Sequence, residues 1–202
     1  MTRPSRRRER TLRRRGFHVI AGADEAGRGA LAGPLVAAAV ILPAGVPPLG
    51  IRDSKLLTAP ERERQFVRIT RLARAWAIAI AAPEQIDRNG IHPTNLAVLR
   101  EAVAKLSPTP DYVLVDAWPL RLPMPSEGII RGDQSVLAIA AASIVAKVVR
   151  DHLMAALHPL YPVYDFARHK GYGTLAHRQR LAQHGPSPLH RRTFNVTLPA
   201  TV

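Results

Sequence analysis

Two adjacent carboxylates, Asp24 and Glu25, end the apolar run Val19-Ile20-Ala21-Gly22-Ala23, and a Gly27-Arg28-Gly29 turn follows at once. Such a run reads as a buried strand. A carboxylate buried at its end is costly unless a cation neutralises it. No basic residue lies between Val19 and Arg28, so a metal ion is a natural counter-charge. The two glycines let backbone N–H groups approach a phosphate or a hydroxyl, and Arg28 adds a charged donor fork. Two further acids fit the same chemistry. Asp116 ends the run Tyr112-Val113-Leu114-Val115, and Asp133 follows Gly132 at the mouth of a long helical stretch. Each has an ordinary alternative, Asp116 as a strand-end turn residue and Asp133 as a helix N-cap. Converging on one sheet edge, the four acids would supply hard oxygen ligands suited to Mg2+ or Mn2+ rather than zinc. Two such ions about 3.5–4 Å apart activate a water and stabilise both oxygens of an in-line phosphoryl displacement.

The elements that must position these acids follow from the pattern around them. Leu35 to Leu42 is a second apolar run, close enough to pair antiparallel with the first strand. Thr58-Ala59-Pro60-Glu61 has the capping-box spacing, so a helix is predicted from there to about Ala73. Ala75–Ala82 reads as a third strand, Pro83–Arg88 as a helical turn, and Thr94–Leu106 as an amphipathic helix. The fourth strand ends at Asp116, and Ile129-Ile130 makes a short fifth. The longest helix is expected over about Gln134–Leu157, with Ala138, Ala141, Ala142 and Ala146 allowing close packing on a sheet. Tyr161–Thr174 reads as loop and Leu175–His184 as a final helix. Strands first, then alternation, then helices describe an α/β layer with a mixed five-stranded sheet flanked by helices.

Length and charge bound the function. The chain has 202 residues, enough for one substantial core, and no cysteine, which excludes thiol chemistry and disulfides. No apolar run is long enough to span a bilayer, and a cytoplasmic, monomeric protein is expected. The net charge is +14; residues 1–16 hold eight Arg against Glu9, which is +7, leaving +7 for the rest. That balance favours a polyanionic partner. The arm 1–16 lacks apolar periodicity and is expected to be disordered, with one domain over 17–202 whose C-terminal helical and loop region begins at about residue 158.

The chain resembles the type 2 ribonucleases H, specifically the bacterial ribonuclease HII group. The resemblance is carried by Ala23-Asp24-Glu25-Ala26-Gly27-Arg28-Gly29 with Ala32-Gly33-Pro34-Leu35-Val36, by Asp53-Ser54-Lys55, and by Val115-Asp116 and Gly132-Asp133. It continues through Ala142-Ser143-Ile144-Val145-Ala146-Lys147-Val148-Val149-Arg150-Asp151, His169-Lys170-Gly171-Tyr172-Gly173-Thr174 and His190-Arg191-Arg192-Thr193-Phe194. These blocks stand in the family's order over about residues 17–195.

The resemblance implies a ribonuclease-H-like fold in which Asp24, Glu25, Asp116 and Asp133 bind two metal ions, Mg2+ or Mn2+. It implies endonucleolytic cleavage of RNA paired with DNA, and incision 5′ of single ribonucleotides in duplex DNA, leaving 3′-hydroxyl and 5′-phosphate ends. Gly27, Arg28 and Gly29 would read the ribose 2′-hydroxyl, the group that separates RNA from DNA. Tyr172 would stack on the deoxyribose after the ribonucleotide, and Ser54 and Lys55 would hold the substrate backbone. Two departures stand out: Ala117 replaces the glycine usual after the strand-end aspartate, and Leu56 replaces a frequent second lysine. Asp151 would lie about 27 Å along a continuous helix from Asp133, too far to share its ion, so an internal Lys or Arg partner is expected. The eight histidines show no metal-ligand spacing and most read as surface or capping residues, with His169 and His177 as candidates to approach a phosphate. The competing readings are a non-catalytic binder of RNA–DNA hybrids and a general two-metal nuclease.

Overall fold

Strand β1 (Ile20–Ala26) is the axis of the molecule in the computed structural model, which describes residues 4–45, 51 and 57–198. It pairs antiparallel with β2 (Leu35–Ile41), which pairs antiparallel with β3 (Ala75–Ala81). On its other side β1 runs parallel to β4 (Tyr112–Asp116), and β4 parallel to β5 (Ser126–Ile129). The order β3-β2-β1-β4-β5 is the expected mixed five-stranded sheet. Every residue of β2 is buried, because helices cover both faces. Ala21, Ala23, Leu35, Ala37 and Ala39 face one core with Val98, Leu99 and Ala102, while Ala38 and Val40 face the other with Leu137, Ala141 and Ile144. The alternation is the period-2 consequence of a pleated strand.

The helices follow the local signals with informative exceptions. Among the helices of the C-terminal three-quarters, α2 (Ala59–Leu72) starts at the predicted capping box, with the Thr58 N–H donating to Glu61 Oε2 at 2.8 Å. Helices α3 (Pro83–Asn89) and α4 (Ile91–Ala104) meet at Gly90, whose φ of 80° turns the chain between them; α4 therefore begins three residues before the expected Thr94. The fifth strand is Ser126–Ile129, and Ile130, expected inside it, is 83% exposed.

The long helix is divided. Short α5 (Gly132–Ser135) and long α6 (Leu137–Leu157) are separated by extended Val136, at φ −115° and ψ 123°. The cause lies far away in sequence. Ser5 pairs with Val136, its N–H donating to Ser135 O at 3.0 Å and its carbonyl accepting from Leu137 N–H at 3.1 Å. Glu9 Oε1 then accepts the Ala138 N–H at 3.1 Å, capping α6 from 129 residues away. The arm expected to be disordered is thus corrected: α1 (Arg7–Arg14) is a helix with Glu9 and Leu12 buried against this junction. Leu12 is fully buried among Ile20, Tyr112, Leu114, Val136 and Ile139. An eight-residue arginine-rich helix would not hold alone, so its order comes from docking.

Past α6 the expected loop contains a short helix, α7 (Phe166–His169), before α8 (Leu175–His184) at its predicted place. Among the described residues no helix is long and apolar enough to cross a membrane.

Candidate active site

Parallel pairing of β1 and β4 brings the strand-end acids together. Ala23 lies opposite Val115, so Asp24 and Asp116 leave the sheet side by side. They line one cleft of about 240 Å³ with Glu25, the Gly27-Arg28-Gly29 turn, Ser143, Lys147 and Tyr172. Of the ten residues expected in the site, seven therefore share one space. Asp133 does not line it. That residue is buried in the first turn of α5 rather than at a cap, next to Gly132, whose N–H donates to Asp116 Oδ1 at 2.7 Å. Among the described residues no group of three or more acids or histidines is arranged to hold a metal ion as it stands. Ser54 and Lys55 lie outside the described residues, as do Asp53 and Leu56.

The electrostatics of the cleft are those of crowded negative charge. Burial raises the Asp24 pKa well above the usual carboxylate range, and the neighbouring Glu25 and Asp116 push it further. Ser143 from α6 and the Glu25 N–H, at 2.7 Å from Asp24 Oδ1, oppose that rise. Burial also raises Glu25, against the Asn95 side chain of α4 and the Arg28 guanidinium. Ser143 and Asn95 were not singled out in the sequence as site residues. A polar residue on an otherwise buried helix face was the available signal.

The wall opposite the acids is a glycine-rich turn over a buried arginine. Gly27 has φ 91°, and a Cβ there would sit 2.0 Å from Arg150 Nε, so no other residue fits. At Gly29 a Cβ would meet nothing within 4 Å, so the backbone there is open to a ligand. Tyr172 closes the cleft, with Lys147 Nζ 4.8 Å and the Arg150 guanidinium carbon 5.0 Å from its ring centre. Lys147 also pairs with Asp151 at 2.8 Å, and Arg62 reaches the same carboxylate at 3.5 Å, which is the internal pairing expected for Asp151.

Three of the eight histidines form a buried layer behind Tyr172. His169 and His177 stack at 4.2 Å, and His177 Nε2 lies 3.0 Å from His190 Nε2. Their partners set the tautomers. The Ser187 N–H donates to His190 Nδ1 at 3.0 Å, leaving His190 Nε2–H to donate to His177. His177 Nδ1–H in turn donates to the Tyr172 carbonyl at 3.0 Å. This relay requires neutral rings, and burial lowers both His177 and His190 to about 4.

Ala117 occupies the place where the resemblance implies glycine, and it does so at φ 62°. The backbone beside Asp116 keeps the left-handed conformation, and the alanine takes the strain.

Against known proteins, the profile of the family described as Ribonuclease HII matches residues 21–197. A ribonuclease HII of Nocardioides sp. is 50% identical over 190 residues, covering 92% of this chain and 79% of the relative. The ribonuclease HII 1 of Methylibium petroleiphilum is 54% identical over 181 residues, covering 89% and 91%. Among solved structures, the PCNA:RNase HII complex from Archaeoglobus fulgidus superposes with a TM-score of 0.74 at 28% identity, covering 90% of this chain and 98% of that one. Ribonuclease H2 of Pyrococcus horikoshii OT3 gives 0.71 at 25% identity, covering 87% and 93%. The acid-bearing strand ends, the glycine turn beside them and the profile match across nearly the whole folded body lead to one conclusion: the chain belongs to the ribonuclease HII family.

Proposed function

We propose that this protein is an endoribonuclease that cleaves the RNA strand of RNA–DNA hybrids and incises 5′ of single ribonucleotides in duplex DNA, leaving 3′-hydroxyl and 5′-phosphate ends. The observation that carries the reading is the meeting of Asp24, Glu25 and Asp116 with the Gly27–Gly29 turn and Tyr172 in a single cleft. The donor set fits a hard divalent cation: three acids in one cleft with carboxylate oxygens as donors, two of them with pKa values raised by burial and mutual repulsion. Asp24, Glu25 and Asp116 would hold Mg2+ or Mn2+, and Asp133 completes the ligand set from the segment that Gly132 ties to Asp116. Such ions, when bound, supply a water activated for attack and charge relief on the leaving oxygen.

The chain's own residues do the selecting. The Gly27–Gly29 turn lines the cleft, and its backbone N–H groups read the ribose 2′-hydroxyl. Arg28 and Lys147 set positive charge beside the phosphate. Tyr172, held over two cations, presents its ring to the sugar after the ribonucleotide, and Ser54 and Lys55 hold the strand farther out. The protein works as a cytoplasmic monomer.

The test is a duplex carrying one ribonucleotide, incubated with Mg2+ or Mn2+. Incision that needs the ion and is lost in Asp24→Asn supports the reading. Binding without cutting at any metal concentration supports a hybrid-binding protein, and an all-DNA duplex cut as fast supports a general nuclease.

A further inference from the structure

Two arginines lie buried beside the cleft without a direct acid partner. Arg150 of α6 is fully buried and Arg191 is 3% exposed, and among the described residues neither makes a salt bridge. Each is satisfied by backbone carbonyls alone. Arg150 donates from Nε to Pro34 O at 2.9 Å, from Nη1 to Lys170 O at 2.9 Å, and from Nη2 to Ala32 O at 3.1 Å. Arg191 donates from Nε and Nη2 to Gly33 O at 3.2 and 3.0 Å, and from Nη1 to Arg28 O at 3.0 Å.

Burying a guanidinium carries a desolvation cost that its carbonyl bonds must offset, and the carbonyls arranged around it lose their donors in any apolar replacement. What the forks share is their targets. The Arg28 carbonyl belongs to the glycine turn, the Lys170 carbonyl leads into Tyr172, and the carbonyls of Ala32, Gly33 and Pro34 form the segment between. That segment is also sewn directly to the tyrosine loop, with Leu31 N–H donating to Gly171 O at 2.8 Å and Arg191 N–H to Leu31 O at 2.9 Å. Neither guanidinium reaches solvent, so neither meets substrate.

We infer that Arg150 and Arg191 are positioning residues that lock the Gly27–Gly29 turn and the Tyr172 loop into one rigid unit, and thereby set the enzyme's preference for a ribonucleotide followed by deoxyribose. The inference rests on the roles proposed above for those two elements. A fixed distance between a group that reads a 2′-hydroxyl and a ring that meets the next sugar is what distinguishes a junction from a continuous RNA strand. Lysine retains the charge at either position but has no planar fork, so Arg150→Lys and Arg191→Lys isolate the geometry from the charge.

The experiment compares wild type, both lysine variants and Arg64→Lys, on the exposed face of α2 away from the cleft, as a control on single-ribonucleotide and all-RNA hybrid duplexes, with melting temperature and amide hydrogen exchange measured on the same samples. In the buried-site variants KM for the single-ribonucleotide duplex should rise about tenfold while kcat changes less than about threefold, so that selectivity over the all-RNA hybrid collapses. Exchange should accelerate in residues 28–34 and 170–173 together in either variant, and not in α2. A uniform loss of stability with substrate ranking unchanged overturns the inference, as does loosening of one segment without the other. The exchange readout needs no activity, so a protein that failed to incise at all would refute the proposed function and still decide whether the two segments are coupled.

Discussion

Two neighbouring regions of this protein hold buried charge in opposite ways. In the cleft, Asp24, Glu25 and Asp116 crowd one another, and burial plus repulsion raise the pKa values of Asp24 and Glu25. Behind the wall of that cleft, Arg150 and Arg191 are buried with no salt bridge among the described residues, and burial lowers both, Arg191 to about 9 with Arg150 adding to the effect and Asp87 opposing it. The two sets do not neutralise each other although one glycine turn separates them. Each nitrogen of both guanidiniums donates to a backbone carbonyl, and among the described residues neither fork forms a salt bridge with the carboxylates. The difference teaches that the acids are an incomplete set crowded by like charge, whereas the arginine forks have a carbonyl on every nitrogen. One region is built to receive a ligand, the other to hold its shape.

The largest expected effect tests the incomplete side. Asp24→Asn should lower incision of a one-ribonucleotide duplex by at least about a thousandfold, because it removes an oxygen ligand with several kcal/mol of charge stabilisation behind it. The same change relieves repulsion among the acids, so without divalent ions the variant should melt about 2–4 °C higher. A melting temperature that fell instead would mean that the cleft is not strained by its own charge. On the complete side, Arg150→Met should do the reverse and cost about 3 kcal/mol in urea unfolding, since three carbonyls lose their buried donors. A neutral result there would break the contrast.

Acid provides the third test. The His177–His190 relay works only with neutral rings, and both have folded pKa values of about 4 against an ordinary 6.5. The unfolded chain therefore binds these protons first, so the relay's contribution is fully present above pH 6.5 and is lost as pH falls towards 4. Asp24, whose pKa is raised, works with the opposite sign and softens the loss. Melting temperatures across that window should decline in wild type, and more shallowly in His177→Asn, which keeps a donor for the Tyr172 carbonyl without a titrating ring. Smaller still, Glu9→Ala should destabilise by about 1 kcal/mol through loss of the α6 cap. Ala117→Gly should stabilise by about 1 kcal/mol by releasing a left-handed alanine beside Asp116, with no loss of incision. Unfolding midpoints of the two variants against wild type check both values.

Much of this was legible because it is local. Apolar runs ending in acids, Thr58 three residues before Glu61, and the ordered family motifs are patterns within a few residues, and β1, β2, β3, β4, α2 and α8 appear where those patterns put them. The helix in the arm is not legible for the complementary reason. Residues 7–14 offer one leucine and no periodic apolar face, so their helix exists only once Leu12 finds Ile20 and Tyr112 and Glu9 finds Ala138. The break at Val136 has the same origin, because the stretch around it is helical in composition until Ser5 competes for its backbone.

The histidines and arginines show the same division. That His169, His177 and His190 are buried, stacked and tautomerically fixed depends on partners brought together across a folded layer, Ala32 pairing with His190 among them. What the chain's order of residues determined by itself was the strand-end placement of Asp24, Glu25 and Asp116, the glycine turn beside them and membership of a family. Only the tertiary structure decided that Asp133 stands buried in the first turn of α5, next to the Gly132 that bonds Asp116, and that Arg150 and Arg191 direct their donors to carbonyls 116 to 163 residues away or just across a loop. Short-range order is written in propensity and period, but which charge is left unpaired is a property of contacts between distant segments, and those exist only in the folded chain.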